Sequence, residues 1–236
     1  VRGSAEAAKE WSEARMRVVA LLRGVQATAP ERLGERVPAC PDWTVLELLS
    51  HVVGLGADVL ADREDAVHAP EWTQAQVDAR RDRTLDEVLA EWAGFADAMH
   101  RYLSEVDTRP LGDLVIHEQD LRGALGEPGA RDTAGLRAIR YRMAQRLADR
   151  LEGRAPLRFA GEDWTWTSGP GEPGVVLAAD GFDAFRALTS RRSADQLRGW
   201  VVEGDLEPYL EAFGGLGALP AAPLPEGAAT RPDRPA

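Results

Sequence analysis

Apolar residues return at three- and four-residue intervals through most of the first 150 positions, the spacing that lays one stripe of a helix against a core. Residues 5–27 carry Trp11, Val18, Val19, Leu22 and Val25 on or near one face. Residues 44–62 repeat the pattern with Val45, Leu48, Leu49, Val52, Val53 and Val59. Thr44 and Glu47 stand at the front as Thr-x-x-Glu, a capping box that ties off free N–H groups at a helix start. Pro38 and Pro41 stiffen the chain before them and keep the preceding residues out of the helical region, so a tight turn should lead straight into this helix. A third helix is predicted over 84–105 (Leu85, Val88, Leu89, Trp92, Phe95, Met99, Leu103). A fourth starts near Asp107 or Thr108, with Pro110 in its first turn, and stops at Gly126-Glu127-Pro128-Gly129. A fifth covers 132–152. Residues 63–83 are polar around Pro70 and Trp72. They predict a long connection or a short helix pair, a common form of lid or binding loop.

From residue 155 the period shortens. Leu157-Arg158-Phe159, Trp164 to Thr167 and Val175 to Ala178 are short, β-prone and separated by Gly/Pro turns. A helix over 181–199, a strand over Trp200–Glu203 and a closing helix over Leu206–Phe213 follow. The expected architecture is mainly α: an up-down helical bundle over 1–153, then a small α+β C-terminal unit over 154–217. The Pro/Ala-rich tail, 218–236, has little to bury and is expected to be disordered.

Composition narrows the partners. The chain has 236 residues, 44% of them hydrophobic and 28% charged, which suits a globular protein with a sizeable core. A net charge of -11 argues against nucleic acid as the main partner, because phosphate binding needs a basic footprint. Cys40 is the one cysteine, so an intrachain disulfide is excluded and a reducing, cytoplasmic setting is expected. No apolar run is long enough for a bilayer, so no membrane is expected, and Val1-Arg2-Gly3-Ser4 offers no apolar leader.

Candidate chemistry comes from four histidines, His51, His68, His100 and His117. His51 sits one turn after Leu48 and one before Leu55, on or beside a buried stripe, and an imidazole there needs a partner. His117 follows Asp113 by four residues, so both side chains leave one helix face and can reach a common metal ion. His51 is the natural third ligand. Three protein ligands with the remaining positions open describe a catalytic metal site rather than a structural one. Ordinary core histidines and a solvated helix carboxylate at 113 satisfy the same spacing. Cys40, just before a helix N-terminus, could have a lowered pKa. It also lies about 16 Å before His51 at 1.5 Å per residue, too far to join the ligand set unless the chain folds back.

Pro38-Ala39-Cys40-Pro41-Asp42-Trp43-Thr44-Val45, the Leu-rich turn after it and His51 resemble the opening motif of the mycothiol-dependent maleylpyruvate isomerase family, part of the wider DinB-like group of metal-binding helical bundles. The resemblance continues through Trp72-Thr73, through Leu85 to Trp92, and through Val115-Ile116-His117-Glu118-Gln119-Asp120-Leu121-Arg122. It implies a DinB-like bundle followed by a sterol-carrier-like α+β domain. It implies a metal, zinc by preference, held by His51, Asp113 and His117, with Asp120 supporting a ligand histidine from behind. Asp113 stands where the family commonly has Glu, which shortens the reach. Phe185 to Arg192 resembles the family's helix ending in Gly-Arg, with Ser190 in place of the Gly. Arg191 would then contact a substrate carboxylate or a mycothiol hydroxyl. A helix-terminal surface arginine accounts for Arg191 almost as well, and an exposed acid accounts for Asp120.

The function implied is that of an enzyme in which a divalent metal activates the thiol of mycothiol toward a small electrophilic substrate. The outcome would be cis–trans isomerisation or thiol S-transfer. The family draws its thiol from a low-molecular-weight cofactor, so Cys40 is expected to be structural. A non-catalytic protein, metal-free or binding a small ligand on the same scaffold, is the alternative from another class.

Overall fold

The computed structural model describes residues 2–63 and 69–226. His68 and the 227–236 part of the tail lie outside the described residues; residues 218–226 form neither helix nor strand. The chain divides into two compact units, Val1–Gly129 with Pro225–Ala236, and Ala130–Leu224.

The first unit is a helical bundle: α1 (Ala5–Thr28), α2 (Val45–Leu60), α3 (Pro70–Asp78), α4 (Leu85–Gly94), α5 (Ala96–Glu105) and α6 (Arg109–Leu125). α1 packs on α5 and α6, and α2 packs on α3 and α6. The predicted apolar stripes face inward: Trp11, Val18, Leu22, Leu48, Leu49, Val53, Trp92, Leu114 and Leu121 are all buried. Trp11 meets Trp92 edge to face, ring centroids 6.2 Å apart. Buried Glu118 of α6 accepts two hydrogen bonds of 2.9 Å from Arg17 of α1 and two more from Arg122, so this buried carboxylate is paired on both oxygens.

Two local expectations change. The turn before α2 is an antiparallel hairpin, β1 (Arg36–Val37) with β2 (Cys40–Thr44). Prolines fit there because each strand of a two-stranded ribbon has one unpaired edge. The helix expected over 84–105 breaks at Phe95, which leaves helical geometry at φ -112°. The break lets the Phe95 ring lie against Gly56 of α2, where a Cβ would come within 3.0 Å of it.

The second unit combines α7 (Ala134–Arg150), a four-stranded sheet, α8 (Gly181–Leu188), α9 (Ala194–Gly199) and a 3-10 turn over Glu207–Phe213. The strands β3 (Leu157–Ala160), β4 (Thr165–Thr167), β5 (Val175–Leu177) and β6 (Val201–Gly204) lie in the order β4-β3-β5-β6. β3 and β5 are parallel and the other pairs antiparallel. Leu157, Phe159, Val175 and Leu177 alternate into the core, as a period of two requires. α7 buries Leu136, Ile139, Met143 and Leu147 and packs on α8. The boundary therefore falls after Gly129, at the Gly126–Gly129 breaker, and not near residue 153: periodicity marks α7 as a helix without naming its partner.

The helix expected over 181–199 is interrupted at Ser190, whose φ of 61° is left-handed. That conformation favours glycine. Ser190 keeps it through its hydroxyl, which donates to the Phe213 carbonyl at 2.7 Å and accepts from Leu216 N at 3.0 Å. Among the described residues no helix is long and apolar enough to cross a membrane.

Candidate metal centre

The site is built on α2 and α6. Thr44 caps α2 as predicted: its Oγ1 accepts from Glu47 N at 3.3 Å and Glu47 Oε2 accepts from Thr44 N at 2.7 Å. This fixes where the helix starts, and so which residues of its first two turns face α6. His51 is one of them and is buried. On α6, Asp113 and His117 share a face one turn apart.

The three side chains converge. Asp113 Oδ1 lies 3.4 Å from Nε2 of His51 and 3.4 Å from Nε2 of His117. The two imidazoles meet nearly at right angles, centroids 5.2 Å apart. One ligand-type atom from each of the three residues lies within 4.8 Å of the others. Asp113 Oδ2 is shielded from solvent and has no hydrogen-bond partner. A buried carboxylate oxygen left unpaired is costly, and a cation held by the three residues would remove that cost. Two imidazole nitrogens and a carboxylate oxygen suit a zinc-like divalent ion and leave at least one position open. The donor set fits the implied metal.

Behind this set each imidazole has a partner. His117 Nδ1 lies 3.0 Å from Oδ2 of Asp120, which is only 1% exposed. Cys40 Sγ donates toward the same oxygen at 3.7 Å. His51 Nδ1 lies 2.8 Å from Oε1 of buried Gln76 on α3, whose Nε2 donates to Asp58 Oδ2 at 2.8 Å. The Trp43 ring lies over His51 at 4.8 Å between centroids.

The electrostatics follow from the geometry. Burial alone would push the His117 imidazole down, but the Asp113 charge and the hydrogen bonds from Asp113 and Asp120 outweigh it and hold it well above the ordinary histidine range. Burial pushes Asp113 the other way, upward, yet His117 and His51 together hold its carboxyl far below the usual range. Without a metal the centre is thus an Asp113 carboxylate against a cationic His117.

The fold therefore gathers His51, Asp113, His117 and Asp120 into one cluster. His100 is exposed and lies 3.1 Å from the Ser12 hydroxyl. Arg191 belongs to the second unit. It is buried rather than on the surface, and its Nη1 donates to the Thr189 carbonyl at 2.7 Å. Cys40 is the largest surprise: β2 folds back, and the thiol reaches the Nδ1 side of His117, where Cys40, His117 and Asp120 form a second close group. The sequence reading also missed Gln76 and Asp58. The available hint was Gly54, one turn past His51. A Cβ there would sit 2.5 Å from the Gln76 Cβ, so only glycine lets α3 come this close.

Residues 11–115 match the model of a family described as mycothiol maleylpyruvate isomerase N-terminal domain. The match takes in His51 and Asp113 and ends two residues before His117. No curated protein and no solved structure matched the chain. Residues 11–115, which bring His51 and Asp113 to the centre, are thus similar to the mycothiol maleylpyruvate isomerase N-terminal domain.

Proposed function

We propose that this protein is a cytoplasmic, mycothiol-dependent metalloenzyme acting on a small electrophilic molecule, by cis–trans isomerisation or by thiol S-transfer. His51, Asp113 and His117 would hold a divalent metal, zinc by preference. Bound there, the ion would supply the positive charge that lowers the pKa of a thiol at its open position. One observation carries the proposal: two imidazole nitrogens flank one carboxylate whose second oxygen is buried and unpaired.

The chain's own residues have distinct parts. Asp113 supplies the single negative charge of the ligand set and keeps it in place from a shielded position. Asp120 accepts from His117 Nδ1, which orients the ring and raises its basicity as a ligand. Cys40 donates toward Asp120 at 3.7 Å and stands outside the His51, Asp113 and His117 set, so its part is to brace that carboxylate, and the reacting thiol comes from outside the chain. Arg191 is kept as a candidate contact for an anionic substrate, on the family resemblance alone.

The test is elemental analysis of the purified protein, followed by turnover of an electrophilic substrate with and without added mycothiol. Stoichiometric divalent metal and strict dependence on the added thiol are expected, and Cys40→Ser should keep both. A metal-free protein, or thiol-free activity that disappears in Cys40→Ser, would overturn the proposal.

A further inference from the structure

Gln76 is buried in α3, at 3% exposure, and lies outside the ligand set. Its surroundings leave it one orientation. An ionised carboxylate can only accept hydrogen bonds, so the Gln76 edge facing Asp58 Oδ2 at 2.8 Å must be the NH2. The amide oxygen then faces His51 Nδ1 at 2.8 Å and can only accept. With an ion shared between Nε2 and Asp113, the proton of a neutral His51 therefore sits on Nδ1, where the Gln76 oxygen accepts it. Arg63 anchors the far end, donating to Asp58 Oδ1 from Nε at 3.0 Å and from a terminal nitrogen at 2.8 Å.

The backbone of Gln76 is pinned as well. Its carbonyl accepts from Arg80 Nη1 at 2.9 Å, and Arg80 is paired with Glu91 of α4. Gly54 removes the side chain that would hold α3 away from α2. Three independent features, a salt-bridged arginine, a side-chain-free approach and a carboxylate that accepts only, thus serve the placement of one neutral amide.

We propose that Gln76, oriented by Asp58, is the positioning residue that selects the Nδ1–H tautomer of His51 and so makes Nε2 the metal-binding nitrogen. The proposal rests on the metal-centre reading above. It extends that reading from the ligands to a relay linking His51 to the protein surface, through an amide where His117 uses a carboxylate.

The experiment has two arms. In metal-free Asp113→Ala, where the competing carboxylate at Nε2 is gone, long-range 15N–1H NMR correlations of the His51 ring, assigned by their loss when His51→Ala is added, report the tautomer at a pH where the ring is neutral. Nδ1 is expected to carry the proton. In the second arm, zinc affinity is measured by competition with a chromophoric chelator for the parent, Gln76→Leu and the double variant Gln76→Glu with Asp58→Asn. Gln76→Leu should bind zinc roughly 10- to 100-fold more weakly, the usual cost of removing a group that orients a ligand histidine. The double variant reverses which partner is charged and keeps a donor–acceptor match at both contacts, so it should recover most of the loss. A proton on Nε2, zinc binding in Gln76→Leu within twofold of the parent, or a double variant as weak as Gln76→Leu overturns the proposal. Should Gln76→Leu not fold, the double variant and the NMR arm decide alone. A parent protein that binds no zinc would sink the metal-centre reading instead, and the tautomer measurement would still judge the role of Gln76.

Discussion

His51 and His117 present Nε2 to the same carboxylate oxygen, 3.4 Å from each, but their Nδ1 atoms meet different chemistry. His117 is backed by Asp120, three residues along its own helix, whereas His51 is backed by Gln76, from another helix. An anionic acceptor stabilises the protonated imidazole and strengthens it as a ligand. A neutral amide chiefly fixes the tautomer. The centre thus holds one basic imidazole, raised by Asp113 and Asp120 together, and one whose orientation is set with no second charge beside it. Backing both rings with carboxylates would place three anions around one ion. With one amide, the ligand side stays closer to neutral.

The strongest break of this comparison removes the shared element. Asp113→Ala, His51→Ala or His117→Ala should each lower bound metal at least 100-fold by elemental analysis, with helix content in circular dichroism nearly unchanged. His100→Ala, far from the cluster in character as an exposed residue, should change nothing; metal loss there with retention in His51→Ala would refute the ligand set.

Asp120→Asn makes the backing of His117 resemble that of His51. The imidazole should then lose part of its upward shift. Metal must displace the His117 proton, so zinc affinity climbs with pH up to that titration and levels off above it. In Asp120→Asn the climb should move to lower pH, while the plateau falls about tenfold. An unchanged pH profile would mean that Asp120 does not govern the ring.

The metal-free protein offers a smaller effect. Asp113 is held below its unfolded pKa, so its contribution to stability is present above about pH 4 and lost as pH falls. His117 is held above its unfolded pKa, so its contribution is complete below about pH 6.5 and lost as pH rises through the folded value. Thermal midpoints of metal-free protein should therefore be highest between these limits, and Asp113→Asn should flatten the profile. A wild-type profile as flat as that of the variant would show that the pair adds no stability.

The smallest change addresses the helix that carries His51. Thr44→Ala should cost about 1 kcal/mol, the usual loss for an N-cap, seen as a lower thermal midpoint. Zinc affinity should weaken slightly, less than in Gln76→Leu. An unchanged midpoint would argue that Glu47 alone holds the start of α2.

Much of the site can be read in the sequence because it depends on local geometry. The capping box at Thr44 and Glu47 sets the phase of α2, and the i, i+4 spacing puts Asp113 and His117 on one face of α6 whatever surrounds them. The switch from helical to alternating period after residue 155 announces the sheet for the same reason. Tertiary structure alone decided the rest. That α7 joins the sheet unit, that Phe95 turns away to meet Gly56, that β2 folds back to bring Cys40 beside Asp120, and that Gln76 reaches His51 over Gly54 are all matters of which surface meets which. Periodicity states that a face is buried, and residue type states that a buried imidazole needs a partner. Neither names a partner far away in the chain, because that choice is made by the packing of whole helices and not by the dihedral preferences of the residues between them.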